Sequence, residues 1–245
     1  MRKFGLIGKQ ISYSFSKVYF AAKFKQENIV DASYENFDIE HITDFPSILS
    51  DNETIKGLNV TIPYKELIIP YLDKLDKKAK KIGAVNTIKF TKKGRLKGYN
   101  TDYYGFKEAL TPHLKSQHQS ALILGTGGAS KAVAYVLKKL KIDYAYASRN
   151  ITKGVKFSYE TLSPKDIAKH TIIINCTPLG TSPLVNNFPN IPYHALTNNH
   201  LLFDLIYNPE KTIFLKKGEE KNTTIVNGLK MLQLQADKSW AIWND

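Results

Sequence analysis

The chain has 245 residues, of which 42% are hydrophobic and 23% charged, and it carries a formal net charge of +13. That balance describes an ordinary globular protein with room for one large core or two modest ones. No run reaches the roughly 18 apolar residues of a membrane span, and no signal-peptide core precedes the first strand pattern. The single cysteine, Cys176, excludes an internal disulfide, so the expected location is cytoplasmic. Arginine occurs only at Arg2, Arg95 and Arg149, which leaves guanine readout almost no material. The lysine-rich charge therefore reads as a solvated surface that steers anionic ligands inward, with no nucleic-acid or membrane partner.

Strand and helix patterns alternate along the first hundred residues. Residues 4–7 read as a strand. Ser16 can cap a following helix whose apolar residues are Val18, Tyr19, Ala22 and Phe24. Residues 34–39 form a second strand, 45–49 a short helix, and 57–61 a third strand stopped by Pro63. A lysine-rich helix is expected over 73–81. Strands at 84–90 and 96–100 flank a hairpin turn, Thr91-Lys92-Lys93-Gly94-Arg95.

The clearest unit begins at residues 121–124, a wholly apolar run expected of a parallel strand buried on both faces. It enters Gly125-Thr126-Gly127-Gly128-Ala129, after which Ala129, Ala132, Val133, Val136, Leu137 and Leu140 recur at helical spacing. Residues 144–148, 172–176, 201–206 and 224–226 read as further strands, and 229–243 as a helix. Repeated βα units with apolar strands indicate a doubly wound parallel sheet.

A glycine-rich turn between strand and helix binds phosphate for a physical reason. Glycine lets the backbone approach the pyrophosphate, and the helix N-terminus offers unpaired N–H groups and a positive dipole end. Some 20 residues on, a site for NAD would place an acid against the ribose 2′-hydroxyl. Here the strand ends in Ser148-Arg149-Asn150, with Lys153 just beyond. Cations there accept a 2′-phosphate, so the expected cofactor is NADP. No metal-ligand pattern is present.

Other polar groups gather at strand ends. Asn59-Val60-Thr61-Ile62-Pro63-Tyr64-Lys65 brings an amide, a hydroxyl and an amine to one exit, and Gly98-Tyr99-Asn100-Thr101-Asp102 a carboxylate to another. Ser14 and Ser16 sit two residues apart, a spacing that in extended chain turns both hydroxyls one way. Each cluster alone also reads as turn and capping chemistry. Together they suit a polyhydroxylated acid, with partners for its alcohols and an acid–base pair.

At these residues the chain resembles the shikimate dehydrogenase family nearly end to end. Further motifs in the same order are Gly83-Ala84-Val85-Asn86-Thr87, Asn175-Cys176-Thr177-Pro178-Leu179-Gly180, Asp204-Leu205-Ile206-Tyr207-Asn208-Pro209 and Asn227-Gly228-Leu229. The resemblance implies an α/β substrate domain over 1–102 and 229–245, a Rossmann-like NADP domain over 103–228, and an active site in the cleft between them. It implies Lys65 and Asp102 as the catalytic pair. Substrate contacts would come from Ser14, Ser16, Thr61, Lys65, Asn86, Asp102, Tyr207 and Gln235. Cofactor contacts would come from Gly125, Thr126, Gly127, Gly128, Ala129, Ser148, Arg149, Asn150, Lys153, Leu205 and Gly228.

The implied reaction is NADPH-dependent reduction of 3-dehydroshikimate to shikimate by a monomer or homodimer. Four departures stand out. The first motif reads Tyr13-Ser14-Phe15-Ser16-Lys17 where the family usually has His-Ser-x-Ser-Pro. Ser148-Arg149-Asn150 replaces the usual Asn-Arg-Thr, residues 153–163 look too short for a crossover helix, and Lys77 stands where an acid is common. The rival readings are a quinate/shikimate dehydrogenase of the same fold, which Ser16 disfavours, and a non-enzymatic NADP- or nucleic-acid-binding module.

Overall fold

Phe4, Leu6 and Ile7 alternate across β1 (Arg2–Gly8), sending Phe4 and Leu6 to one face and Ile7 to the other. The computed structural model describes residues 1–12 and 14–245. They form two units, residues 1–101 with 235–245, and residues 102–234.

In the first unit the chain runs through α1 (Phe15–Gln26), β2 (Ala32–Asp38), α2 (Phe45–Ser50), β3 (Ile55–Val60), α3 (Tyr64–Leu67), β4 (Lys74–Leu75), α4 (Lys77–Ile82), β5 (Thr87–Phe90) and β6 (Leu96–Tyr99). The sheet order is β2-β1-β3-β5-β6-β4. β1 is parallel to β2 and β3, whereas β5 is antiparallel to both β3 and β6. One face buries Ile7, Phe45, Leu58, Val60 and Ile88. The other buries Phe4, Phe20, Phe24 and Trp243, with Phe4 stacked on Trp243 at 4.9 Å between centroids.

The second unit contains α5 (Asp102–Leu110), β7 (Ser120–Leu124), α6 (Gly128–Lys139), β8 (Asp143–Ser148), β9 (Phe157–Ser158), α7 (Pro164–Lys169), β10 (Ile172–Asn175), β11 (Leu201–Asp204), α8 (Ile213–Glu219) and β12 (Thr224–Val226). Its order is β12-β11-β10-β7-β8-β9, parallel throughout. The doubly wound sheet is therefore present, and its strand order reverses between β7 and β10, where such sheets bind ligands. Val133, Val136 and Leu137 of α6 are buried against it, and each large aliphatic contributes roughly 1.5–3 kcal/mol. The last helix, α9 (Leu229–Asn244), places Met231 in this core and Ala236 and Trp243 in the first unit's.

The structure corrects several local expectations. Ser14, not Ser16, caps α1; its hydroxyl accepts from the Ser16 amide at 3.2 Å. Ser16 is helical, so the extended-chain argument for aligning the two hydroxyls does not hold. The buried stripe of α1 is Phe20 and Phe24, while Val18 and Ala22 are exposed. The tertiary fit of two aromatics outweighs the spacing of smaller side chains. The 73–81 segment divides because Asp76 caps a helix that begins only at Lys77, leaving Lys74–Leu75 free to pair with β6. β5 starts at Thr87 rather than at residue 84, and Ala84 and Val85 precede it as buried connection. No helix lies between β8 and β9, as the short 153–163 segment indicates. Tyr13 lies outside the described residues.

Candidate functional site

In the first unit the expected substrate residues cluster at strand exits and helix starts. Ser14 and Ser16 occupy the half-buried start of α1, and the Ser16 side chain lies beside the Tyr34 phenol. Thr61 follows β3, its amide donating to the Ile7 carbonyl at 2.9 Å and its carbonyl accepting from Tyr64. Lys65 is half-buried in the single turn of α3. Its carbonyl accepts from the Val85 amide at 2.7 Å, which ties the lysine's backbone to the approach of Asn86.

Asn86 and Gln235 are 2% and 8% exposed and share a buried polar network. The Asn86 amide donates to Thr101 Oγ1 at 2.9 Å and to Gln235 Oε1 at 3.2 Å, while Asn86 Oδ1 accepts from the Thr101 backbone at 2.6 Å. Asn59 Nδ2 donates to the Asn86 carbonyl at 3.1 Å, and Asn59 Oδ1 accepts from Tyr34 at 2.8 Å. Burial pushes the Tyr34 phenol far up in pKa, keeping it a neutral donor. Thr101 closes the first unit, and Asp102 opens the second as the buried first residue of α5. A carboxylate there lies at the positive end of the helix dipole.

In the second unit β7 leads directly into the glycine loop. Gly125 has φ +96°, a left-handed conformation that glycine adopts without strain, and its amide donates to the Ala147 carbonyl at 2.8 Å. Gly127 caps α6 without a side chain, and a Cβ placed there meets nothing within 4 Å. The loop is thus open above a helix N-terminus whose first amides, from Gly128 and Ala129, have no acceptor one turn back. Thr126 and Gly127 are exposed. Ser148 ends β8, followed by exposed Arg149, Asn150 and Lys153 with no acidic residue among residues 148–153.

Leu205 and Gly228 are brought together. A Cβ on Gly228 would stand 2.1 Å from the Leu205 carbonyl oxygen, so only glycine permits this approach. Tyr207 is half-buried two residues past Leu205. An open loop over helix amides, followed by a cationic strand exit, fits a dinucleotide carrying a third phosphate. Among the described residues no cluster could hold a metal ion, and no helix is long and apolar enough to cross a membrane.

Comparison with known proteins decides the kinship. Residues 6–88 match the family model described as shikimate dehydrogenase substrate binding domain. Across the whole chain, the shikimate dehydrogenase (NADP(+)) of Clostridium beijerinckii is 38% identical over 254 residues, covering 100% of this chain and 93% of that protein. The chain belongs to the shikimate dehydrogenase family. The crystal structure of shikimate dehydrogenase 1 from Peptoclostridium difficile is 39% identical with a TM-score of 0.87, covering 100% of this chain and 92% of that one. The Thermus thermophilus shikimate 5-dehydrogenase, solved with NADP(H) and shikimate, is 28% identical with a TM-score of 0.87, covering 99% and 93%.

Within this family member, sequence reasoning missed two sets of buried polar groups. Thr87, Thr101 and Ser239 complete the network around Asn59 and Asn86. Asp204, fully buried, accepts from Asn175 Nδ2 at 3.0 Å, the Ile206 amide at 3.0 Å and Thr212 Oγ1 at 2.6 Å. Asn175 Oδ1 in turn accepts from Thr177, whose methyl would meet a Cβ on Gly125 at 2.9 Å. Burial moves the Asp204 carboxyl up to about 6 against the pull of its three donors. The available signal was an acid ending an apolar strand, which is costly unless satisfied.

Proposed function

We propose that this chain is an NADP-dependent oxidoreductase that interconverts 3-dehydroshikimate and shikimate, a step of aromatic amino acid (chorismate) biosynthesis. The observation that carries this reading is the full-length kinship with NADP(+) shikimate dehydrogenases. The open glycine loop and the cationic exit of β8 support the choice of cofactor.

Gly125, Thr126, Gly127, Gly128 and Ala129 would hold the pyrophosphate. Ser148, Arg149, Asn150 and Lys153 would hold the 2′-phosphate end, with Leu205 and Gly228 beside the remainder. NADPH, when bound, supplies the hydride that reduces the C3 carbonyl. Negative charge grows on the carbonyl oxygen as the ketone becomes an alcohol. A Lys65 ammonium stabilises that oxygen and delivers the proton that completes the hydroxyl. Asp102 would accept from a substrate hydroxyl. Ser14 and Ser16 take the carboxylate end, while Thr61, Asn86, Tyr207 and Gln235 serve the remaining polar groups.

The test is NADP+ reduction followed by absorbance, with shikimate and with quinate as alternative substrates. Shikimate is expected to support much the faster rate, and NADP+ to outperform NAD+. Equal rates with quinate would assign the chain to the broader quinate/shikimate activity, and no turnover with either would overturn the proposal.

A further inference from the structure

Ser239 lies on α9 one turn beyond Gln235 and is fully buried. Its hydroxyl donates to the Gln235 carbonyl at 3.0 Å. Three more polar atoms face the same oxygen: Asn59 Nδ2 at 3.0 Å, Thr87 Oγ1 at 2.8 Å and Thr101 Oγ1 at 3.1 Å. A serine hydroxyl has one proton and two lone pairs. With the proton given to Gln235, two of the three neighbours can donate and the third must turn elsewhere.

The geometry says which one turns. Asn59 approaches through its amide nitrogen and can only donate. Thr87 makes the shortest contact. Thr101 accepts from Asn86 Nδ2 at 2.9 Å; of the two acceptors near its own proton, Asn86 Oδ1 at 3.2 Å already takes the Thr101 backbone amide at 2.6 Å, which leaves Gln235 Oε1 at 3.3 Å. The protons therefore run from Asn59 and Thr87 into Ser239, and from Asn86 through Thr101 into Gln235. This assignment orients both amides, with Asn86 Oδ1 on the Thr101 backbone and Gln235 Oε1 facing Asn86 and Thr101. Without the Ser239 hydroxyl, Thr87 can give its proton to Asn86 Oδ1 at 3.0 Å, in competition with the Thr101 amide. Loss of the hydroxyl thus re-sorts the network and leaves the fold in place.

We propose that Ser239 is a positioning residue for substrate recognition, setting the amide orientations of Gln235 and Asn86 through Thr87 and Thr101. The inference rests on Gln235 and Asn86 being substrate ligands, as proposed above. It adds a residue that itself touches no ligand.

The experiment is a double-mutant cycle of Ser239→Ala and Gln235→Leu, read by steady-state kinetics beside thermal melting. Ser239→Ala is expected to raise the shikimate KM about tenfold, the worth of roughly one hydrogen bond. The NADP+ KM and kcat should stay within about threefold of the parent. The double variant should lose less than the product of the two single effects, because a residue acting partly through another shows non-additive effects. An unchanged shikimate KM in Ser239→Ala, multiplied effects in the double variant, or equal losses for both ligands would overturn the proposal. A parental shikimate KM in Gln235→Leu would instead remove the substrate role of Gln235, and the proposal with it. Ser239→Cys, similar in volume but a weak hydrogen-bonding group, replaces the alanine variant if the latter does not fold.

Discussion

The two polar regions of this molecule are built in opposite ways. The network of the first unit consists of buried side chains from distant parts of the chain, such as Asn59 and Ser239, 180 positions apart. The glycine loop of the second unit is contiguous backbone, exposed at Thr126 and Gly127. In the first, each group is already satisfied within the protein, so a substitution rearranges neighbours. In the second, the loop presents open backbone, and a substitution at Gly127 meets open space. A substitution in the network is therefore expected to cost internal order, and one in the bare loop ligand affinity alone.

The largest effect that would sharpen this contrast is expected at Lys65. Lys65→Met keeps the length and apolar volume of the side chain but removes the ammonium, so kcat should fall by about 10²–10⁴ while the shikimate KM changes little. A folded variant turning over within threefold of the parent (roughly 0.65 kcal/mol of barrier) would remove Lys65 from the chemistry. Next is Gly127→Val, which should melt near the parent temperature yet lose about a hundredfold or more in NADP+ affinity, the worth of one or two charge-assisted hydrogen bonds. Normal binding in that folded variant would mean that the loop is not the phosphate cradle. Arg149→Ala should reduce the preference for NADP+ over NAD+ about ten- to hundredfold. An unchanged ratio would place Arg149 outside the cofactor site.

Two smaller effects concern the second unit's interior. The folded-state pKa of Asp204 stands above its unfolded value, so the folded protein binds that proton more tightly. Its contribution to stability is therefore present below about pH 4 and lost as pH rises to about 6, on the order of 3 kcal/mol. Denaturant unfolding of the parent and Asp204→Asn across this range should give a stability difference that changes between pH 4 and 6 and levels above 7. A flat difference throughout would contradict the buried-carboxyl account. Tyr159 presents a buried hydroxyl without a hydrogen-bond partner. Tyr159→Phe should leave stability unchanged or raise it by up to about 1 kcal/mol, and a clear loss on melting would reveal a partner for the hydroxyl.

The same contrast governs how much could be read from the sequence. The glycine loop, β7 and α6 were legible because their signals are contiguous: an apolar run, a glycine turn, then a stripe at helical spacing. The β8 exit was legible because Arg149 interrupts a chain poor in arginine. By contrast β9 spans two residues and α7 buries only Ile167, too little for a periodic pattern to emerge. α5 carries a signal in Phe106, Ala109 and Leu110, all buried at helical spacing, but was not among the expected elements. The extended-chain premise for Ser14 and Ser16 failed because capping places them at a helix start. Ser239 had no sequence signal of its role, since its partners converge only through the fold, whereas Asp204 carried only the signal of an acid ending an apolar strand.

The central claim is that substrate and cofactor are recognised by two separable devices, one built of side chains and one of open backbone. Isothermal titration of NADP+ and of shikimate into Gly127→Val and Ser16→Ala, each checked by circular dichroism, tests it most directly. The account predicts that Gly127→Val loses NADP+ and retains shikimate, while Ser16→Ala weakens shikimate and retains NADP+. Comparable loss of both ligands in either folded variant would contradict it.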